Sequence, residues 1–462
     1  MDPAALRREF PVFIYDSFEL EERSQALIAR FRFCVPPSLE FVPEVYFEDP
    51  PESWKRIPAE PLRNVIFHLG LIELFSYWKA TCSPLIRIDA GRLTQDQLAW
   101  WQDLLRHGMG EFFFHNNIDF TERNFVQMKA APPANGVNAP YTGALPDRSL
   151  AAIGGGRDSA LTAKLLQTSG ESFGCMMLNP IPASSEIAAA TCALRPVIVR
   201  RTIRPELLEL NRRGFLNGHT PFSAYLAFLN AACLLIYGYS RIVVANERSS
   251  DEGNTVYRAE QINHQYSKTL RFEALFDEYL QGRLVENARY FSLVRPLYEL
   301  QIAQAFARRP ELFGLFRSCN RNQKQNSWCG ECPKCVSVFI TMYPFARAAD
   351  VVSIFGIDLY ANESVIPVVR RLAGLDGVKP FECVATTDEV IAALHLGVEK
   401  ARRDARELPA VLQYASEAIL PLRPNASVTA SELLAAYGPH RLPPRFEAIL
   451  TSEIGPARVA PQ

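Results

Sequence analysis

Residues 153–166 read IGGGRDSALTAKLL, and no other segment restricts the fold as tightly. An apolar strand pattern at 149–153 runs into three glycines, and helical periodicity follows at 160–168. A chain that passes from strand to helix across Gly154, Gly155 and Gly156 must turn sharply, which glycine allows because it tolerates positive φ. The turn exposes backbone N–H groups at a helix N-terminus, where the local potential favours an anion. Arg157 adds charge, Asp158 opens the helix and Ser159 supplies a hydroxyl. These six residues are the candidate phosphate site, although a plain tight turn with a capped helix would use the same glycines. Two other nucleotide loops are excluded by letter. No Gly-Lys pair exists for G-x-x-x-x-G-K-[ST], and Ser159 stands where G-x-G-x-x-G needs its last glycine.

Around this turn the pattern is strand, helix, strand. Further strands are expected at 172–178, 196–203, 241–246 and 290–294, with helical patterns between them. That rhythm implies an α/β fold with a parallel, doubly wound sheet, whose ligands sit outside the carboxyl ends of the strands. At 462 residues the chain should form two or three domains. The expected division is an α+β N-terminal domain at 1–145, the α/β domain at 146–385 and a mostly helical extension at 386–462. In the first part FPVFIYDSFEL, LIARFRFCV and PEVYFED alternate like strands. Helices are expected near 64–81 and 94–107, with Thr94 as a cap. The Pro-, Gly- and Asn-rich stretch 129–149 reads as a linker.

The segment 220–241 carries no charge inside it and is long enough to suggest a membrane span. Ser, Asn and Tyr interrupt it and a polar strand pattern follows, so a buried helix is the better reading. The N-terminus MDPAALRREFPVF has no basic start followed by an apolar run, so no secretory signal is expected. With 49 Lys and Arg against 50 Asp and Glu, the net charge of −1 argues against bulk electrostatic binding of nucleic acid. Neither membrane insertion nor a nucleic-acid partner is expected.

Of ten cysteines, six are scattered, as expected of small buried hydrophobes in a reducing cytoplasm. The other four, Cys319, Cys329, Cys332 and Cys335, follow a C-x9-C-x2-C-x2-C spacing. Four thiolates so spaced can close a tetrahedral zinc site, and an all-protein ligand set makes it structural. A redox C-x-x-C would not need four cysteines, and a disulfide contributes about 2–4 kcal/mol against ~10–16 kcal/mol for structural zinc.

Three polar islands lie between the loop and the cysteines: LNRRGFLNGHTPFSA, VVANERSSDEGN and INHQYSKTLRFE. Each adjoins an expected strand end or helix start. His219, Glu247, His264 and Lys268 are the candidates for proton transfer. Asn217, Asn246 and Arg295 are candidates for substrate binding, Arg295 and Arg271 through carboxylates or phosphates.

The loop resembles the S-G-G-x-D-S loop of the N-type ATP pyrophosphatases, the PP-loop family, with Gly154 in place of the first Ser. PP-loop enzymes that make 7-cyano-7-deazaguanine pair such a loop with a similar four-cysteine knuckle. The set IGGGRDS, NGHTPFSA, NERSSDEGN, NHQYSK, YFSLVRPL, SCNR, WCGECPKC and KPFECV is more closely similar to the ATP-dependent UDP-N-acetylmuramoyl-L-alanyl-L-glutamate epimerases of peptidoglycan synthesis. That resemblance implies a PP-loop domain, ATP and Mg²⁺ as cofactors, structural Zn²⁺ on the four cysteines and a UDP-linked muramoyl dipeptide as substrate. It implies that the terminal L-glutamate is activated as an adenylate, epimerised and released with AMP and pyrophosphate. The alternatives are a carboxylate-adenylating amidase or nitrile synthase of the deazaguanine type, and a non-catalytic nucleotide-binding scaffold.

Overall fold

The computed structural model describes residues 1–132 and 139–454. Thirteen strands are numbered in chain order: β1 (Val12–Arg23), β2 (Ala26–Val35), β3 (Leu39–Phe41), β4 (Glu44–Glu48), β5 (Leu85–Arg92), β6 (Gln127–Ala131), β7 (Ser149–Ala152), β8 (Phe173–Leu178), β9 (Val197–Arg201), β10 (Arg241–Val244), β11 (Thr255–Tyr257), β12 (Glu260–Ile262) and β13 (Arg289–Ser292). Eleven of them share one sheet in the order β13-β10-β7-β8-β9-β4-β2-β1-β5-β6, with β3 paired to β2; β11 and β12 form a separate hairpin.

All five strands expected in the α/β part are present, and β13, β10, β7, β8 and β9 run parallel. Their residues alternate between two cores, as the two-residue period of a strand requires. Leu150, Met176 and Ile242 pack with the helices Ala59–Trp78, Gln95–Gly108 and Phe222–Tyr237. Ala151, Cys175 and Val243 pack with Arg157–Thr168, Glu299–Ala307, Pro333–Met342 and Thr387–Arg403. The five-strand unit is thus covered by helices on both faces. From Ala348 onward the described chain is mostly helical.

The sheet continues across the boundary expected near residue 145. β4 pairs antiparallel with β9, placing Val45 opposite Arg201 and Phe47 opposite Val199. On the far side β4, β2 and β1 are antiparallel, while β1, β5 and β6 are parallel. The expected linker is part strand, since β6 reaches Ala131, and residues 133–138 of it lie outside the described residues. Beyond them Tyr141 is tied down: its N–H donates to Leu284 O at 2.8 Å and its carbonyl accepts from Glu286 N at 3.0 Å.

Two helices follow their local signals closely. Gln95–Gly108 starts at Thr94, whose hydroxyl accepts from Gln97 N while the Gln97 side chain accepts from Thr94 N. Phe222–Tyr237 is the uncharged segment, buried along most of its length and ended by Gly238 at φ +74°. Sixteen residues rise only about 24 Å, short of the ~30 Å of hydrocarbon a span must cross. Among the described residues no helix is long and apolar enough to cross a membrane.

Candidate functional site

β7 ends at Ala152, and the helix behind the glycines begins at Arg157, three residues earlier than the sequence suggests. Arg157, Asp158 and Ser159 therefore form its first turn. Gly155 adopts φ +90°, and a Cβ there would sit 3.1 Å from Ser184 N and 3.1 Å from Ile181 Cδ1. Both the handedness and the space demand glycine. Gly156 caps the helix without any side-chain hydrogen bond, so the first-turn N–H groups have no partner within the helix. Ser159 Oγ donates back to Gly156 O at 2.9 Å, and Ser318 Oγ accepts from Arg157 N at 3.3 Å. Gly155→Ala should cost ~1–2 kcal/mol of stability, readable by denaturant unfolding. It should also slow any nucleotide-dependent reaction by about tenfold or more, because the N–H groups shift.

The loop forms one wall of a cleft of ≈ 550 Å³. The cleft lies at the carboxyl ends of β7, β8, β9 and β10, where such sheets bind ligands. Gly154, Gly156, Asp158 and Ser159 line it from one side, Asn246 from the end of β10, and Lys268, Lys324, Lys334 and Cys383 from elsewhere. Asp158 is the single carboxylate among the lining residues, so the cleft presents an excess of cations. Burial pushes the Asp158 carboxyl up, but Arg157, Lys334 and Lys268 outweigh it and hold the carboxyl below its usual range. Burial works against the Lys268 ammonium, yet Cys383, Glu247 and Asp158 raise its pKa.

Lys268 is positioned by its backbone. Arg295 is fully buried; its Nη2 donates to Lys268 O, its Nη1 to Glu247 O at 2.7 Å and its Nε to Glu273 Oε2 at 3.0 Å. Next to Lys268, His264 Nδ1 pairs with Glu111 Oε2. The His219 ring lies 4.4 Å from that of His264, and its Nδ1 is 3.5 Å from the same carboxylate oxygen. The two histidines have opposite character. Burial lowers the His264 pKa, but hydrogen bonds with Cys383 and Glu111 raise it to about 9. Burial, then the neighbouring His264 charge, lower that of His219 to about 4.

The four clustered cysteines bring their sulfurs within 4.8 Å of one another. Backbone N–H groups donate to three of them: Asn322 N to Cys319 Sγ at 3.2 Å, Cys332 N to Cys329 Sγ at 3.3 Å and Cys335 N to Cys332 Sγ at 3.4 Å. Such bonds favour thiolates, and Gly330 at φ +73° makes the knuckle turn. The donor set and its closeness fit a tetrahedral structural zinc. The knuckle also braces the cleft: Arg317 N donates to Gly155 O at 2.8 Å and Gln323 Nε2 to Gly154 O at 3.3 Å.

Residues 4–293 match the MurL N-terminal domain and residues 315–426 match the MurL C-terminal domain. The chain belongs to the MurL family. Three curated relatives carry the name UDP-N-acetyl-alpha-D-muramoyl-L-alanyl-L-glutamate epimerase. The one from Xanthomonas oryzae pv. oryzae is 32% identical over 435 residues, covering 91% of this chain and 93% of the relative. That from Micromonospora sp. is 34% identical, covering 85% and 89%. That from Salinispora tropica is 32% identical, covering 89% and 88%.

Within this MurL chain the expected site residues separate into groups. Gly154, Gly156, Asp158, Ser159, Asn246 and Lys268 line one cleft, and Gly155 makes its turn. Glu247 acts on Lys268 and His264 on Cys383, and Glu247 Oε2 is buried without a hydrogen-bond partner. Arg157 is not among the cleft-lining residues: its side chain is 1% exposed and pairs with Glu299 at 2.9 Å and Asp158 at 3.1 Å. Arg295 is likewise spent on internal partners, and Arg271 pairs with Asp103 at 2.9 Å. Asn217 is exposed, its side chain bonded to Gly218 N at 2.9 Å, and His219 lies behind His264. Glu111, Ser318, Lys334 and Cys383 were not singled out from sequence, although SCNR, CPKC and KPFECV contain three of them.

Proposed function

We propose that this chain is an ATP- and Mg²⁺-dependent epimerase that converts the terminal L-glutamate of UDP-MurNAc-L-Ala-L-Glu to D-glutamate. AMP and pyrophosphate are the by-products, and the product serves peptidoglycan synthesis. The observation that carries this reading is the single cleft in which the glycine turn and Asp158 face Lys268, Lys334 and Cys383. The names of the relatives support the substrate.

The chemistry explains why one cleft needs both halves. Removing the α-proton beside a carboxylate anion piles charge on charge. A general base contributes typically ~10²–10⁴-fold, too little for an unactivated carboxylate. Adenylation neutralises that carboxylate and turns its carbonyl into an electron sink. The cationic cleft then offsets the developing oxyanion.

In this reading the loop N–H groups would hold the phosphates of ATP in a PP-loop-like, doubly wound α/β domain, and the Ser159 hydroxyl would join them by turning from Gly156 O. An ionised Asp158 beside a polyphosphate is repulsive on its own, so Asp158 would be the residue that holds Mg²⁺, which would supply the neutralising charge. Cys319, Cys329, Cys332 and Cys335 hold zinc, which fixes the wall of the cleft. No disulfide joins any of the ten cysteines, so all four of these thiols are available to a metal.

The test is pyrophosphate release from ATP and Mg²⁺ with and without UDP-MurNAc-L-Ala-L-Glu. Release that depends on the dipeptide substrate, with D-glutamate in the hydrolysed product, is the expected result. Ammonia-dependent release with new nitrogen in the product would refute it.

A further inference from the structure

Cys383 is the one cysteine among the residues lining the cleft, and it is separate from the metal knuckle. Three distant segments meet at it. Glu111 comes from the short helix Gly110–His115, His264 and Lys268 from the segment after β12, and Cys383 from the loop between the helices Ile366–Leu372 and Thr387–Arg403. The loop is held on both sides of the thiol, after it by Ala385 N, which donates to Ser337 Oγ at 3.2 Å. Lys379 Nζ pairs with Glu252 Oε1 at 2.6 Å, and the Phe381 ring packs 4.8 Å from His115 and 5.3 Å from Phe114. Glu382 accepts from Asn320 Nδ2 at 2.8 Å and from Lys334 N at 3.0 Å. His264 pairs with Glu111 through Nδ1 and interacts with the Cys383 thiol, while its backbone N–H is fixed by Asn254 Oδ1 at 2.8 Å. A sulfur paired with an imidazole that a carboxylate orients is the arrangement that activates a thiol.

We propose that Cys383, as a thiolate, is the base that removes the α-proton of the substrate glutamate, with Glu111 and His264 as its positioning residues. The assignment rests on the adenylation reading above. In the step, the Cα–H bond breaks and an S–H bond forms. The C–H electron pair moves into the Cα–C bond, and charge accumulates on the carbonyl oxygen of the adenylate, where the Lys268 ammonium offsets it. Water on the opposite face then gives a proton to Cα, and Cys383 returns its own proton to solvent, so the proton count closes.

Electrostatics agree with the geometry. Burial raises the Cys383 thiol pKa, but Lys268, His264 and Lys334 outweigh burial and bring it down to about 7. Asp158 and Glu247 face Lys268, Glu299 faces Lys334, and Glu111 faces His264. A base poised near neutrality is the most effective one at neutral pH. Activity should therefore rise as pH rises through about 7. Glu111→Gln removes the anion that supports the His264 charge, so the thiolate loses support. Its acidic limb should move to higher pH, with most of the lost rate recovered above it.

The experiment compares wild type with Cys383→Ser in D₂O containing ATP, Mg²⁺ and UDP-MurNAc-L-Ala-L-Glu. Pyrophosphate release, deuterium at Cα and intact protein mass are followed together, and thermal unfolding confirms that the variant is folded. The expected result is a fall in epimerisation and deuterium uptake of ~10²–10⁴-fold, with pyrophosphate release kept within about tenfold. Undiminished deuterium uptake by the variant would overturn the proposal. So would an acyl adduct on Cys383 in the wild type, which would make the thiol an acyl acceptor. A wild type that releases no pyrophosphate would instead overturn the adenylation reading. The base assignment, which rests on that reading, would fall with it, whereas normal pyrophosphate release with undiminished deuterium uptake in the variant would overturn the base assignment alone.

Discussion

If the four cysteines hold zinc as proposed, Cys332→Ser should abolish zinc binding and, with it, much of the order around the cleft. Ring packing of Trp328 on Phe316 and Phe355 holds one side of the knuckle, and the four sulfurs gather the rest within 4.8 Å of one another. Cys332 is the N-cap of helix Pro333–Met342, and its sulfur accepts from Cys335 N at 3.4 Å. A serine hydroxyl could still cap that helix, so the loss would come from the metal and not from the cap. Structural zinc contributes an apparent ~10–16 kcal/mol in small zinc domains, the scale of a whole domain's stability. Loss of a metal is among the few single-residue changes that cost about 4 kcal/mol or more. The damage should reach the nucleotide loop, because Arg317 N and Gln323 Nε2 reach from the knuckle to the carbonyls of Gly155 and Gly154. Metal analysis, thermal unfolding and pyrophosphate release should therefore fall together. A stable, active and zinc-free variant would refute the structural-zinc assignment.

That coupling between knuckle and loop is also where reading from sequence runs out. The glycine turn, the five parallel strands and the Thr94 cap are local patterns, set by residues two to four positions apart, and they are legible one segment at a time. The four-cysteine spacing is legible for the same reason. The continuous sheet is not, since the pairing of Val45 with Arg201 joins positions that no local pattern links. Arginines show the difficulty most plainly. Arg157 beside a phosphate loop and Arg295 after a strand both invite an anionic ligand. Their guanidinium groups instead meet Glu299 and Glu273, which come from other helices. Where an arginine goes depends on whichever buried carboxylate the fold delivers, and an unpaired buried charge is too costly to leave.

Cys383 shows the opposite failure. As one of six scattered cysteines it looks like a small core residue, and only the fold brings Glu111, His264 and Lys268 to it. The segment INHQYSK supplied two of those partners to the eye, while Glu111 lies in a part of the chain where no site was expected. The N-terminal region thus contributes a side chain to the candidate site through the helix Gly110–His115.

Asp158→Asn should abolish most pyrophosphate release while leaving the protein folded. The substitution keeps shape and removes one negative charge. Its structural cost is small: Arg157 retains Glu299 at 2.9 Å and Thr341 Oγ1 at 3.1 Å. The carboxylate at the first turn of Arg157–Thr168 contributes only ~0.3–1 kcal/mol through the helix dipole. On the proposed reading its value for the reaction would be larger, because it is the single carboxylate lining the cleft and would hold Mg²⁺ there. Losing about 3 kcal/mol of charge stabilisation in the transition state corresponds to a fall of ~10²-fold. The Mg²⁺ concentration for half-maximal rate should rise as well, a shift that a merely structural role for Asp158 would not produce. The direction is opposite to that expected of a residue that only tunes the lysines, since removing Asp158 leaves Lys268 and Lys334 less compensated and the cleft more attractive to ATP itself. Tight ATP binding combined with slow pyrophosphate release is therefore the signature of the metal-bridging role. Unchanged release at ordinary Mg²⁺ would remove Asp158 from the nucleotide site.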